Sequence, residues 1–221
     1  MRKSISLSAA VEKIPDGAAL MIGGFMGIGS PHLLIGELVR QGRKDLTVIA
    51  NDTARPGFGI GRLIDAKLVR KLVATHIGTN PETQRQMIAG ELEVELVPQG
   101  TLAERIRAAG HGLGGVLTAT GVGTIVADGA RVIEVAGREF ILALPILADF
   151  ALVGAHQADY YGNLTYALTA RIFNPVMAMA GGIVIVEAAE VVPVGALSPD
   201  EVVTPAKLVD YLVHKEIVYG R

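Results

Sequence analysis

The chain contains no cysteine and no tryptophan, aromatic residues reach only 5%, and charged residues only 19%. Without cysteine there is no disulfide framework, no thiolate metal site and no cysteine nucleophile. The five histidines stand singly, without metal-ligand spacing, so zinc chemistry is not expected. An excess of one charge is missing as well: 20 basic against 22 acidic side chains leave a net charge of −2. That balance excludes the cationic face of a nucleic-acid binder and a polybasic membrane patch. Long apolar runs are also absent. The most apolar late stretch, residues 140–155, is cut by Pro145 and Asp149, short of the ~18 uncharged residues that a spanning helix needs. The amino terminus starts basic, but Glu12, Lys13 and Asp16 precede the first long apolar run. No secretion signal is read there, and a cytoplasmic protein is expected.

What is present is apolar and rich in glycine: half of the 221 residues are hydrophobic and 27 are Gly. Such a chain folds, and its length suits one α/β domain over residues 1–221 with part of its surface covered by another chain.

Ala18-Ala19-Leu20-Met21-Ile22 is a continuous apolar run closed by Gly23-Gly24, the pattern of a strand buried on both faces of a parallel sheet. Ser30 at an N-cap, Pro31 at the first helical position and Leu34, Leu38 and Val39 up to Gly42 predict the helix that follows. The alternation repeats. Residues 46–50 read as a strand ending at Asn51-Asp52, and residues 72–75 as another ending near His76. Glu91, Glu93 and Glu95 alternate with Leu92, Val94 and Leu96, so that strand has a solvated face and lies near an edge. Thr101-Leu102-Ala103-Glu104 has the form of a capping box opening a helix that closes at Gly110.

Residues 110–123 hold too many glycines for a helix or a long strand and predict a functional loop or a close-packed turn. Beyond them, residues 131–135 and 139–144 flank Ala136-Gly137-Arg138 as a hairpin, residues 150–155 and 183–186 read as strands, and Thr204-Pro205 opens a last helix. The fold class is therefore α/β, an open and largely parallel sheet flanked by helices.

The segment Gly23-Gly24-Phe25-Met26-Gly27-Ile28-Gly29-Ser30-Pro31 joins a strand to a helix start, where free N–H groups and the positive dipole end suit a phosphate or carboxylate. It is not a dinucleotide fingerprint, because reading from Gly27 gives Gly-x-Gly-x-x-His, and no Gly-Lys-Ser/Thr makes it a P-loop. The plain alternative is a tight turn and nothing more.

Residues 16–31 resemble the first signature of the family I CoA-transferases: Asp-Gly, an apolar strand, Gly-Gly-Phe, then Gly-x-Pro. Further blocks are similar to the α subunit of that family: Ile-Ala-Asn-Asp-Thr at 49–53, His-Ile-Gly-Thr-Asn-Pro-Glu-Thr at 76–83, residues 97–107, Thr-Gly-Val-Gly-Thr at 120–124 and Gly-Asn-Leu-Thr-Tyr at 162–166. The resemblance spans nearly the whole chain. Within the family, the blocks at 50–54 and 76–83 look most like the branch that uses acetoacetyl-CoA with acetate or another short monocarboxylic acid. The 3-oxoadipate and succinyl branches tend to carry Asn-Asn-Ala-Gly and Gly-Tyr-Gly-Thr there, and Asp52 and Val122 depart from both patterns.

The resemblance implies an open α/β CoA-transferase fold and a ping-pong exchange in which an enzyme glutamate attacks the thioester and becomes a glutamyl-CoA thioester. It implies no metal and no organic cofactor, CoA being a substrate. In that family the nucleophile sits in a Ser-Glu-Asn-Gly motif of the β subunit, and none of this chain's 13 glutamates has those neighbours. The implied partner is thus a β subunit, in an α2β2 or larger assembly, and the chain alone is expected to be inactive.

Three sets of residues follow from the resemblance. Asn51 would stabilise the oxyanion, although an Asn after a strand also makes an ordinary Asx turn. Gly23, Gly24, Phe25, Met26, Gly27, Ile28 and Gly29 would contact CoA. Gln99 would hold the acid substrate's carboxylate or keto oxygen, its plain alternative being an exposed loop amide.

Other tempting residues have blander readings. The Glu91, Glu93 and Glu95 trio is a solvated face, and His76 and His111 are lone histidines. Glu187 follows Gly-Ile-Val-Ile-Val at a strand's carboxyl end and would be the nucleophile or base of a self-sufficient enzyme, for instance a sugar-phosphate isomerase. A nucleotide-binding module built on Gly121-Val122-Gly123 is the non-catalytic alternative.

Overall fold

The computed structural model describes residues 3–214; Met1 and Arg2 of the basic start lie outside them. Helix α1 (Leu7–Glu12) leads to β1 (Ala19–Ile22), α2 (His32–Gln41), β2 (Leu46–Ile49), α3 (Gly61–Asp65), β3 (Val69–Ala74), α4 (Pro81–Ile88), β4 (Glu93–Leu96) and α5 (Gln99–Gly110). An arm follows with β5 (Val116–Thr118), β6 (Val132–Val135) and β7 (Arg138–Ala143). The chain then returns through β8 (Ala148–Asp159), β9 (Leu164–Thr165), α6 (Asn174–Ala180), β10 (Gly181–Val192) and β11 (Tyr211–His214).

The main sheet runs β11-β10-β8-β1-β2-β3-β4 with every neighbouring pair parallel, and β9 joins β8 antiparallel. The arm forms its own antiparallel sheet, β5-β7-β6. Period two divides the buried residues between the faces of the main sheet. Leu20 and Ile22 of β1 pack with Leu34 and Leu38 of α2 on one face, whereas Met21 packs with Ile106 of α5 and Met177 of α6 on the other. Each such fully buried side chain contributes about 1.5–3 kcal/mol.

Several sequence expectations meet their physical cause here. Gly42 ends α2 in the left-handed region at φ 67°, and Ala136 (φ 52°) and Gly137 (φ 75°) make the tight two-residue turn between β6 and β7. The solvated strand is β4, at the sheet edge, where Glu93 pairs with Lys71 at 2.7 Å and Glu95 with Arg105 at 3.0 Å.

Other boundaries move. The N-cap of α2 is Pro31, not Ser30, and no side chain of the loop caps it. Helix α5 starts at Gln99, directly after Pro98, so Thr101 lies inside the first turn and is not its N-cap. Proline fixes its own φ and has no N–H to satisfy, so the helix begins as soon as it is passed. The Thr101 hydroxyl is buried without a partner among the described residues, and Glu104 turns to Arg107 at 3.2 Å. Strands β8 and β10 are 12 residues each, longer than the apolar cores that announced them. Thr204-Pro205 opens only a single turn, Ala206–Leu208, before β11. The Thr204 hydroxyl is spent on Tyr166 Oη at 2.8 Å, and pairing with β10 takes the chain that follows. No described helix is long and apolar enough to cross a membrane.

The topology creates one crevice. The chain leaves β1 to one side through α2, which packs on the first face, and leaves β8 to the other side through α6, which packs on the second. Adjacent strands whose connections diverge in this way open a cleft at their carboxyl ends, where ligands of open α/β sheets bind.

Candidate active site

At that crevice the loop after β1 continues the sheet for one residue, with Gly23 N–H donating to Leu152 O at 3.0 Å. It then folds into a tight hairpin in which Phe25 and Ile28 exchange backbone hydrogen bonds of 3.0 and 2.9 Å around Met26 (φ 50°) and Gly27 (φ 80°). Its glycines are required by their neighbours. A Cβ on Gly23 would overlap the Asn174 side chain, and one on Gly27 would enter the Phe58 ring. Asn174, the first residue of α6 and fully buried, accepts from Gly154 N–H at 2.9 Å and donates to Gly29 O at 3.0 Å. Phe58 in turn stacks on His32, with centroids 4.8 Å apart. The loop is held from both sides, and what it presents outward is apolar: Ile28 is half exposed, with Phe25 and Met26 partly so.

The start of α2 is not left open for a ligand. Glu187, on β10, brings one carboxylate oxygen to Leu33 N–H at 2.8 Å and Leu34 N–H at 3.0 Å. It supplies the cap that Pro31 cannot, across the sheet. Burial pushes the Glu187 carboxyl above the ordinary carboxylate range, against the pull of these N–H groups. The carboxylate whose sequence position suits a nucleophile is thus committed to a helix end.

The two polar residues singled out by sequence meet directly. Gln99 Nε2 donates to Asn51 Oδ1 at 2.6 Å, and Asn51 Nδ2 donates to Asp52 Oδ2 at 2.7 Å. The same Asp52 oxygen accepts the Met26 N–H at 2.8 Å. One hydrogen-bond chain therefore runs from the end of β4, through the end of β2, to the loop after β1. Thr75, at the end of β3, donates to Asn51 O at 2.8 Å and lies 3.1 Å from its Oδ1. Asn51 is 3% exposed and Asp52 4%. One Asn51 N–H serves Asp52; the other has no partner among the described residues.

Sequence reasoning passed over Asp52 as a ligand, and over Thr75, Asn174 and Phe58. Asp52 had a visible signal, its place directly after Asn51 at a strand end; Asn174 had none, because its contact with Gly29 joins residues 145 apart. The block at 76–83 owes its pattern to structure: Asn80 caps α4 through Glu82 N–H and Thr83 N–H, and its amide donates to Thr53 O at 3.1 Å. His111 stands at the end of α5 with Nδ1 2.8 Å from Arg107 O, and His76 is exposed. Among the described residues no cluster of His, Asp or Glu has the make-up of a metal site.

The chain matches the coenzyme A transferase family over residues 5–215. It is 52% identical over 211 residues to acetate CoA-transferase subunit alpha of Escherichia coli K12, covering 96% of both chains. It is 50% identical to the acetoacetyl-CoA:acetate/butyrate CoA transferase alpha subunit of Clostridium acetobutylicum, covering 90% of this chain and 91% of that one. Among solved structures, the acyl-CoA transferase of Escherichia coli O157:H7 superposes with a TM-score of 0.84 at 25% identity over 99% of this chain. The present chain spans about half of that longer protein, 48% of its length. With the open parallel sheet, the glycine loop at its crevice and identity across almost their entire length to α subunits, the chain belongs to the coenzyme A transferase family as an α subunit.

Proposed function

We propose that this chain is the α half of a heteromeric enzyme that moves CoA between an acyl-CoA and a short monocarboxylic acid, acetoacetyl-CoA with acetate or butyrate. The observation that carries the reading is the hydrogen-bond chain Gln99–Asn51–Asp52–Met26, which ties three strand ends of the crevice into one polar group beside the glycine loop. The names of the two α subunits above support the choice of acids.

In this reading the reaction is attack of a carboxylate on the thioester carbonyl, with negative charge developing on that carbonyl oxygen. The remaining N–H of Asn51 stabilises the oxyanion, and a well-placed donor of this kind contributes about 3 kcal/mol. Gln99, with one N–H held by Asn51, keeps its carbonyl and second N–H for the acid substrate. The loop 23–29 offers an apolar tip of Phe25, Met26 and Ile28, which suits the aliphatic arm of CoA better than its phosphates. Contacts of that kind, remote from the reacting atoms, position the thioester.

The nucleophile comes from a β subunit, in an α2β2 or larger assembly. In support, the carboxylate bonded to the glycine loop and the one bonded to the helix after it are both occupied: Asp52 accepts three N–H donors, and Glu187 caps α2. The chain acts as a single domain in the cytoplasm, without metal or organic cofactor.

The test is CoA exchange between acetoacetyl-CoA and acetate, measured for this chain alone and for its complex with the β subunit. Exchange by the complex only is expected. Exchange by the isolated chain would overturn the division of labour.

A further inference from the structure

We propose that Asp52 is a positioning residue for the transfer reaction: its buried carboxylate fixes which way round the Asn51 amide lies. The inference rests on the reading of Asn51 as the oxyanion donor. Three donors converge on Asp52: Met26 N–H at 2.8 Å and Asn51 Nδ2 at 2.7 Å on one oxygen, and Ala54 N–H at 2.7 Å on the other. No Lys, Arg or His forms an ion pair with it among the described residues. The charge is held by N–H groups, an arrangement that only an acceptor can occupy.

A primary amide has nearly the same shape either way round, so its orientation is set by its neighbours' donors and acceptors. On one side of Asn51 stand Gln99 and Thr75, at 2.6 and 3.1 Å. Both can change role, Gln99 by turning its own amide and Thr75 by rotating its hydroxyl. On the other side stands Asp52, which as a carboxylate cannot donate. Asp52 is the member that makes the chain run one way, Gln99 to Asn51 to Asp52. It also brings the Met26 amide to the same oxygen, so the N–H edge of Asn51 and the loop after β1 keep a common anchor. If Asn51 turned over, its carbonyl oxygen would take the place of its N–H groups, and a stabilised oxyanion would become a repelled one. A residue that never touches substrate thereby controls the sign of the interaction.

The competing explanation is that Asp52 only folds its own turn through Ala54 N–H. A double-mutant cycle on the assembled α/β complex separates the two, with kcat and KM measured for Asn51→Ala, Asp52→Asn and both together. If Asp52 acts through Asn51, Asp52→Asn, which keeps one acceptor oxygen and lets the Asn51 amide lie either way round, lowers kcat about twofold, and the same change in the Asn51→Ala background leaves it unchanged. Equal factors in the two backgrounds would overturn the inference while leaving the role of Asn51 intact. An Asn51→Ala complex with undiminished kcat would overturn the role of Asn51 and this inference with it.

Because Asp52→Asn only removes the constraint, it is also combined with Gln99→Glu, which moves the acceptor-only group to the other end and forces the Asn51 amide over, with only the Met26 N–H left unserved. The expected result is a kcat about 10- to 100-fold below wild type, near that of Asn51→Ala, with assembly and thermal stability no lower than in Asp52→Asn. A kcat in the doubly substituted complex as high as in Asp52→Asn would overturn the inference.

Discussion

The molecule has two glycine-rich segments, and they use glycine differently. In the loop after β1, Gly23, Gly27 and Gly29 each lie where a Cβ would collide with a side chain of another segment, Asn174, Phe58 and Ala170, and Gly24 where it would collide with Ser30 of the loop itself. In residues 110–123, Gly112, Gly114 and Gly123 face open space, whereas Gly110 packs on Met179, Gly115 on Ala143 and Gly121 on Val126. The open three serve turns of an exposed three-stranded arm, which leaves Leu113, Leu117 and Ile125 in solvent. Glycine density announces both segments equally. What distinguishes them is that a neighbour stands where the missing side chain would go at every glycine of the loop after β1, and at only half of those in 110–123.

The largest effect expected from this contrast is at Gly23. Its backbone is not in the left-handed region, so Gly23→Ala fails only because of Asn174, the residue that pins Gly29 and Gly154. The variant should lose roughly 3 kcal/mol in urea denaturation. Wild-type stability would place the loop's glycines with the open three of the arm and erase the distinction.

Next comes the carboxylate that caps the helix following that loop. Glu187→Ala removes the acceptor of two α2 amides and should cost about 1–2 kcal/mol. Glu187→Gln keeps an acceptor and should retain both stability and CoA exchange in the complex. Loss of exchange in Glu187→Gln, with stability intact, would return Glu187 to the chemistry.

The turn after β8 sharpens the contrast from another direction, because a carboxylate organises it. Burial opposes the charge of Asp159, but the Asn163 side chain and the N–H groups of Asn163, Tyr161 and Gly162 prevail and hold its pKa below the ordinary value. For a depressed acid, the stabilisation is present above the unfolded pKa of about 3.9 and is lost as pH falls through the folded one. Asp159→Asn should therefore lose about 1 kcal/mol at neutral pH. Its stability should change less than that of the wild type as pH is lowered below 4, a difference read by thermal melts across pH.

The smallest effects belong to the arm. Gly123→Ala meets no atom but must keep φ 72°, so about 1 kcal/mol is expected from backbone strain. Gly114→Ala meets no atom and has no positive φ, and should stay within about 0.5 kcal/mol.

What the sequence revealed was local. Gly42 after a helical apolar stripe, Ala136-Gly137 between two β runs and the apolar run ending in Gly23-Gly24 all carry their explanation within a few residues, and the structure follows them. Asn51 and Gln99 could be nominated, but not their contact, which depends on β2 and β4 lying in one sheet with β3 between them. The cap of α2 lies out of local reach for a related reason. Ser30 is the right residue type in the right place, yet the acceptor arrives from Glu187, 154 residues away from Leu33. Capping at Thr101 failed because Pro98 started α5 early. Local signals give elements; the donors and acceptors of the crevice are settled only by the order of strands.

That strand order also bears on how the chain comes to be folded. β1 to β4 pair in the order in which they are made, so the amino-terminal half of the sheet can assemble from near neighbours. The other edge of β1 must wait for β8, which emerges only after α5 and the whole arm. At ~5–20 residues per second of synthesis, an apolar strand destined for the middle of the sheet spends roughly 6–25 s as an open edge. During that interval its template is available to any extended segment, its own or a stranger's. The placement that puts the glycine loop at a crevice therefore leaves the growing chain with an open apolar edge until its second half appears.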